Sequence, residues 1–294
     1  MLKRGRVIEV HEVLVADPDD PATPKDLNYH GTLVLTSSLG PGCKIQAGGD
    51  VFINGNIDGS QVQCGGSLFL TGWIKGGHQS IIQTGNHLVT RFCTHAQVGA
   101  GGNVEVETSI LRSRIQCEGN LILRTGKGIV GGKILVSGGI DTTSIGSGLG
   151  ILTNVYLGKY AQAQFEMPEL LRKKKSNFEN LRKTSIALKS IRSLSPAELT
   201  RDKVLTAKKL KSLLSSLRTR DQEYTRRMYD LNKDLDERAI ANLVVRQTVN
   251  TEVSIQMGKA VLEKFDNPIQ SAVMRLNPDS RAIDISPILE EPEI

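Results

Sequence analysis

The sequence is poor in aromatic residues, in closely spaced cysteines and in long apolar runs. Aromatic side chains make up 4% of the 294 residues, with a single tryptophan, which disfavours sites that stack sugars or bases on rings. No stretch approaches the roughly 18 apolar residues of a membrane-spanning helix. The first residues are basic, but Glu9 and Glu12 stand where an export signal needs an apolar run. These absences, with four widely spaced cysteines, predict a protein of the reducing cytoplasm without a disulfide framework.

Glycine and charge divide the chain into two parts. Of the 29 glycines, 27 lie between Gly31 and Gly158, whereas none lies from Lys159 to Met257. Because glycine favours tight turns and weakens helices, this predicts a turn-rich segment followed by a helical one. Residues 166–238 contain 19 basic and 11 acidic side chains, while the rest of the chain contains 18 and 20. The net positive charge therefore belongs to the predicted helical segment.

The glycine-rich segment is an internal repeat. Its pattern is an aliphatic residue, any residue, a small residue, any residue, Gly or Asn, a polar residue and an aliphatic residue. The copies begin at Ile45, Val62, Ile82, Val98, Ile115 and, more loosely, Ile134, at steps of 17, 20, 16, 17 and 19 residues. Alternation within each copy places aliphatic side chains inward, and stacked copies would share one core. The segment is therefore predicted to form a parallel β-helix.

The fifth position of the repeat predicts a structural corner. It is occupied by Gly49, Gly66, Asn86, Gly102, Gly119 and Gly138. Gly and Asn adopt the left-handed backbone conformation most readily, so we expect these residues to stack in one column in that conformation. The variable steps favour a right-handed β-helix, although a left-handed hexapeptide helix also repeats near 18 residues and the hand stays open.

The glycine-free segment is predicted to be an antiparallel coiled-coil hairpin. In its first half the expected stripe is Leu171, Phe178, Leu181, Leu188, Ile191 and Leu194, and the first helix is predicted from Glu166 to Ser193. Ser195, Pro196 and Glu198 form a helix-start signal. In the second half, steps of three and four join Leu210, Leu214, Leu217, Tyr224, Met228, Leu231 and Leu235, with Asp221 as the one interruption. Alternating residues at 242–249 and 252–257 then predict return strands.

These patterns give four predicted regions. Residues 1–28 form a lead-in or cap, 29–160 the β-helix, 161–240 the helical hairpin, and 241–294 return strands with a proline-containing tail. The fold class is mainly β with an α insertion.

Several motifs resemble one family. The run from Ile45 to Ile57, the run from Val98 to Val104 followed by 109–113, the stretch from Thr143 to Gly150, and the run from Val245 to Ile255 are similar to the flagellar assembly protein A (FapA) family. The resemblance covers roughly residues 29–258. It implies a right-handed β-helix with a projecting coiled coil, a cytoplasmic location, and a role in flagellar assembly or polar placement. It supplies no catalytic residues, and many members carry a further N-terminal domain that is not evident here.

Other candidate sites have ordinary structural explanations. The run Gly126 to Gly131 matches a dinucleotide fingerprint, but a strand rather than a helix is predicted after it. Cys93 and His95 would share a strand face, with His87 as the one further candidate metal ligand. Cys64 and Cys117 fall in the small inward column and are predicted to pack rather than react. Glu105 and Glu107 share an outward face that we interpret as solvated. We therefore expect no catalytic residue, metal or cofactor.

The basic arm is the remaining candidate interaction element. Its clusters are Lys173, Lys174, Lys175, Lys208, Lys209, Arg226 and Arg227. Solvated coiled-coil flanks, an acidic protein partner, and nucleic acid or an anionic membrane are the alternatives, and interleaved acids without aromatics disfavour nucleic acid. The sequence predicts a non-enzymatic scaffold with protein partners, and homo-oligomerisation stays open. The alternative is a self-polymerising bactofilin-like β-helix whose open coil ends stack.

Overall fold

The structure, a computed structural model, describes residues 12–77, 80–123, 125–158, 161–195, 200–236, 241–263, 265–277 and 279–288. The chain divides into two compact units, a solenoid unit that contains the strands and a helical unit that contains most of the two helices. Pro196 and Glu198 of the predicted helix start lie outside the described residues, so that signal is untested.

Short strands make up the solenoid unit before the helices. They are β1 Val13–Ala16, β2 Asp26–Tyr29, β3 Thr32–Leu35, β4 Lys44–Ala47, β5 Val51–Ile53, β6 Ile57–Asp58, β7 Gln61–Cys64, β8 Leu68–Leu70, β9 Trp73–Lys75, β10 Ile81–Thr84, β11 Leu88–Thr94, β12 Gln97–Ala100, β13 Val104–Cys117, β14 Leu121–Leu123, β15 Gly128–Val136, β16 Ile140–Ile145 and β17 Thr153–Leu157. The helices are α1 Ala161–Arg192 and α2 Arg201–Asp236. The strands after them are β18 Asn242–Val249, β19 Val253–Met257, β20 Ala260–Glu263, β21 Ile269–Leu276 and β22 Ile283–Pro287.

Parallel pairing from coil to coil confirms the predicted β-solenoid. On one face β2, β4, β7, β10, β12, the end of β13, β15, β17 and β19 pair in sequence. On a second face the succession is β1, β3, β5, β8, β11, β13, β14, β16 and β18. A third face joins β6, β9 and the later parts of the longer strands. Because β1 and β2 already belong to these stacks, the predicted lead-in over residues 1–28 contributes strands at its C-terminal part.

The repeat positions form the core columns that the sequence predicts. Ile45 pairs with Val62 and Val62 with Ile82, so the first aliphatic position stacks on itself. Val51, Leu68 and Leu88 do the same for the last position, and all three are fully buried. Each coil thus buries its aliphatic side chains against the coils before and after it, which is how a solenoid acquires a continuous core.

The two ends of the strand stack differ. After the helices, β18 and β19 add in parallel to β16 and β17. The chain then reverses, because β21 pairs antiparallel with β18, β22 with β21, and β20 with β19. At the opposite end, β1 and β2 each pair with a single strand among the described residues. Antiparallel hairpins therefore cover the C-terminal end of the stack.

Contacts within the helical unit pair α1 and α2 in opposite directions. Glu166 near the start of α1 contacts Arg227 of α2, while Asn177, further along α1, donates from Nδ2 to the Leu217 carbonyl (3.0 Å). In α2 the less exposed positions are Ala207, Leu210, Leu214, Leu217, Asp221, Tyr224, Met228 and Leu231. Asp221 thus occupies the stripe in regular register instead of interrupting it.

The predicted stripe of α1 is wrong at its N-terminal half. Leu171 and Phe178 are 51% and 65% exposed. The inner positions are one residue earlier in the register, where Leu170 and Lys174 are half-buried and Asn177 is buried, followed by the buried Thr184. Leu171 and Phe178 are seven residues apart, as are the inner residues Leu170 and Asn177. Spacing alone therefore could not distinguish the exposed pair from the inner pair.

Candidate interaction surfaces

The predicted corner residues follow one another in a backbone ladder. The amide of each residue donates to the carbonyl of the corner residue one coil earlier, at 2.8–3.0 Å, through Gly49, Gly66, Asn86, Gly102, Gly119 and Gly138. The left-handed conformation predicted for them is wrong, because none of the six has a positive φ. Another property of glycine must therefore explain this column.

A ladder of polar side chains beside the corner explains why glycine occupies this column. The side chain after each of the first five corner residues accepts a hydrogen bond from the backbone of the next coil. The bonds join Ser67 N to Asp50 Oδ1 (2.7 Å), His87 N to Ser67 Oγ (3.3 Å), Asn103 N to His87 Nδ1 (3.0 Å), Asn120 N to Asn103 Oδ1 (2.9 Å) and Gly139 N to Asn120 Oδ1 (2.7 Å).

These acceptors occupy the space of a corner side chain. A Cβ atom at Gly66 would collide with Asp50 Oδ1, and one at Gly119 would collide with Asn103 Oδ1. Asn86 lies above the coil in which the acceptor is the shorter Ser67, so a side chain is accommodated there. Close approach of neighbouring coils, rather than backbone conformation, therefore selects glycine in this column.

Left-handed residues occur at a different corner. Gly42, Gly59 and Gly131 have φ values of 82°, 64° and 71°, and the non-glycine residues His95 and Arg112 have φ values of 50° and 44°. The His95 N–H donates to the Leu111 carbonyl (3.0 Å), so His95 and Arg112 belong to adjacent coils. The sequence analysis did not predict a left-handed conformation for His95 and Arg112, because neither is Gly or Asn.

The candidate metal ligands are not brought together. Cys93 is fully buried, and burial raises the pKa of its thiol to about 12. His95 lies after the end of β11 with its ring exposed, so the expected shared strand face is wrong, and His87 belongs to the corner ladder. Within the described ranges, no group of three or more His, Cys, Asp or Glu residues could hold a metal ion.

The inward thiols are packing residues. Cys64 and Cys117 belong to one column with Ala47, Thr84 and Ala100. Burial is the main cause that raises the pKa of each thiol to about 12, and for Cys64 the charge of Asp50 adds to it. The side chains of Thr84 and Cys117 also donate to the carbonyls of corner residues Asn86 and Gly119.

The remaining sequence motifs also have structural roles. Gly128 and Gly131 of the fingerprint-like run lie within β15, so a strand occupies the place where nucleotide binding requires a helix. Glu105 and Glu107 are exposed on β13, and Glu107 is paired with Arg91 (2.9 Å). Across the described helices, none is long and apolar enough to cross a membrane.

Outward aromatic side chains occur as two pairs on three consecutive coils, one pair on the second face of the solenoid and the other on the third. We call Phe52, Phe69, Trp73 and Phe92 the aromatic surface. Phe52 and Phe69 stack with ring centroids 5.0 Å apart, and Phe92 is the register partner of Trp73. Trp73 is 47% exposed and Phe52 40%. These four account for most of the seven Phe and Trp residues in the chain, and exposed aromatic residues are enriched at protein interfaces.

The predicted basic residues of the arm divide into two groups. Lys173 pairs with Glu169 (2.9 Å), Lys174 donates to Thr225 Oγ1 (2.8 Å), and Arg227 pairs with Glu166 (2.8 Å). The Glu169 carboxylate raises the pKa of Lys173. The other group comprises Lys175, Lys208, Lys209 and Arg226, which, like Lys173 and Arg227, are exposed. Lys208 and Arg226 are separated by about 27 Å along α2, so the exposed cations are distributed along the arm.

A known family model matches most of the chain. The model of the Flagellar Assembly Protein A beta solenoid domain (FapA) matches residues 26–281, which is most of the chain. Neither the curated proteins nor the solved structures contain a match.

Proposed function

The chain belongs to the FapA family, and from this membership we propose that it is a non-enzymatic cytoplasmic scaffold in flagellar assembly or polar flagellar placement. In this proposal a right-handed solenoid presents the helices as a projecting antiparallel coiled coil. Protein partners bind the exposed cations of the arm or a face of the solenoid, and no cofactor takes part.

The division among the arm cations supports this proposal. Lys174 and Arg227 connect the two helices, whereas Lys175, Lys208, Lys209 and Arg226 remain exposed at positions that neither helix buries. Exposed lysines and arginines attract acidic partners and accelerate association more than they stabilise a fold. The aromatic surface supplies a second element with the composition of a protein interface.

The arm is tested by affinity capture in the native cell with three forms of the protein. These are the full chain, a chain without residues 166–238, and a chain with Lys175, Lys208, Lys209 and Arg226 changed to Gln. The matched control changes four other exposed cations of α1, namely Arg182, Lys183, Lys189 and Arg192, to Gln. We expect the deletion and the variant with Gln at Lys175, Lys208, Lys209 and Arg226 to lose the same partners and to alter flagellar number or placement. The control should do neither. Identical partner sets for all forms would refute the role of the arm.

Polymerisation is the alternative function. Its support is the N-terminal end of the stack, where β1 and β2 each pair with one strand among the described residues and could pair with a second copy. The antiparallel strands at the other end oppose continuous stacking, because they turn the chain away from the parallel register. Electron microscopy at micromolar concentration distinguishes these functions, since filaments would favour polymerisation over the scaffold.

A further inference from the structure

A groove at one corner of the solenoid unit is lined by three basic side chains and one histidine. His95 and Arg112 occupy this corner in adjacent coils, while Arg114 and Lys133 are register partners on the adjoining face. All four side chains are exposed. Among the described residues that line the groove there is no Asp or Glu. We call these four residues the basic groove.

Two of these four residues are held in a backbone conformation that glycine would adopt more easily. Gly42, Gly59 and Gly131 provide the left-handed conformation at this corner in other coils, but His95 and Arg112 provide it here. Non-glycine residues pay conformational energy in this region, and such residues concentrate at functional sites. Glycine would satisfy the backbone at both positions, so the side chains of His95 and Arg112 are not required by the fold.

The groove presents its charge in a row. Successive coils of a parallel sheet are separated by about 4.8 Å, so Arg114 and Lys133 follow each other along the stacking direction. Both residues also interact with other groups of the protein. Their charge lies at the edge of the groove. His95 is oriented by a hydrogen bond of its Nδ1 to Thr94 Oγ1 (2.8 Å). The Arg112 side chain extends over Gly131, where a Cβ atom would be 3.4 Å from Arg112 Cγ.

We propose that the basic groove binds an acidic segment of a partner protein through its carboxylates. Guanidinium groups bind carboxylates in paired hydrogen bonds, and a row of cations fits successive Asp or Glu side chains of an extended segment. A single small anion would not be enclosed, because the four side chains are exposed instead of surrounding a cavity. No Phe, Tyr or Trp among the described residues lines the groove for base stacking, which disfavours single-stranded nucleic acid. The inference rests on the proposed scaffold function, since it names the chemistry of a partner.

The neighbouring glycines make a clean variant available. Arg112→Gly removes the cation and introduces the residue that the same corner uses in other coils, so we expect unchanged or higher thermal stability. Arg112→Asn is a second variant that tolerates the left-handed conformation. Arg112→Lys keeps the charge, and Lys44→Gln, which removes an exposed cation from an earlier coil of the adjoining face, is the matched control.

Binding is measured by fluorescence anisotropy of the full chain with a short labelled Asp- and Glu-rich peptide at low ionic strength. An uncharged peptide of the same length, inorganic phosphate and single-stranded DNA are the other probes. We expect the acidic peptide to bind, Arg112→Gly and Arg112→Asn to weaken it about fivefold, and Arg114→Gln with Lys133→Gln to weaken it further. Arg112→Lys should retain most of the affinity, and Lys44→Gln should have no effect.

Three results would overturn the inference. They are absence of binding to the acidic peptide, binding that is unchanged when Arg112 is replaced, and tighter binding of phosphate or DNA with the same dependence on Arg112. The scaffold function fails separately, because removal of residues 166–238 tests the arm while the basic groove lies in the solenoid unit. Loss of peptide binding with arm-dependent partners retained would therefore reject the groove alone.

Discussion

The solenoid unit and the helical unit differ in how they bury their side chains. The columns of the solenoid are apolar and almost completely buried, with Leu68, Leu88 and Ile115 at 0% exposure. In the helical unit, the apolar side chains that are buried among those described are Ala163, Leu188, Leu217 and Leu231. Each solenoid coil contacts a coil on either side, whereas each helix relies on one narrow stripe. We infer that the solenoid is the more stable frame and the helical unit the more easily opened element.

Removal of a core side chain from the solenoid should have the largest effect. Leu88 lies between Leu68 and Val104 in a fully buried column. Leu88→Ala should lower the free energy of unfolding by about 2–5 kcal/mol, because a cavity opens between two coils that cannot collapse independently. Denaturant unfolding measures it, and Leu213→Ala on the exposed side of α2 is the control. Equal effects of the two variants would contradict the difference between the units.

A methyl group at the corner should be the next most damaging change. Gly66→Ala should cost about 1–3 kcal/mol, because its Cβ atom collides with Asp50 of the preceding coil. Asp50→Ser in the same chain should recover part of the loss, since Ser67 occupies the equivalent place below Asn86. Gly148→Ala, where the space is open, is the control. A double variant no more stable than Gly66→Ala would contradict the close-approach explanation of the corner.

The buried thiols should make the solenoid sensitive to alkali. Burial raises the pKa of Cys117 from 9.0 to about 12, so the folded chain retains a proton that the unfolded chain loses. The contribution of each buried thiol to stability is fully present below pH 9 and is lost as the pH rises toward about 12. By about pH 10 the loss amounts to about 1 kcal/mol per thiol. Unfolding measured against pH should show a shallower decline for Cys117→Ala than for the less buried Cys43→Ala. Identical slopes would contradict this linkage.

A polar residue in the helical stripe should have a smaller effect. Asn177 is buried and donates to the Leu217 carbonyl at 3.0 Å. Asn177→Ala should lower the stability of the helical unit by about 0.5–1.5 kcal/mol, because the net contribution of such a hydrogen bond is modest. Thermal unfolding followed by helical circular dichroism measures it, with Ser176→Ala at an exposed neighbouring position as the control. A shift of the solenoid transition by the same amount would show that the units unfold together.

The sequence was most informative at repeat positions whose only role is to place an aliphatic side chain in the core. The inward columns, the parallel stacking and the return strands follow from aliphatic residues that recur with fixed parity, as from Ile45 to Ile134. The order of the motifs also identified the family that the family model confirms.

Prediction failed where a position depends on contacts with another coil or helix. The positions of the corner glycines were predicted correctly, but the reason for glycine was wrong. Gly66 is required because it lies against the Asp50 side chain of the preceding coil, and this contact exists only once the coils stack. His95 and Arg112 were missed as left-handed residues since neither type favours that conformation. The α1 stripe was displaced because buried Asn177 and Thr184 do not look like core residues, whereas exposed Leu171 and Phe178 do.

Hydrogen exchange of the full chain, measured by mass spectrometry, tests the central claim that the stacked solenoid is a more stable frame than the helical unit. The amides of β7, β10, β12 and the end of β13 should exchange slowly and together, because each is bonded to a neighbouring coil. The amides of α1 and α2 should exchange faster in a separate group. Helices that exchange as slowly as the solenoid strands would contradict the account.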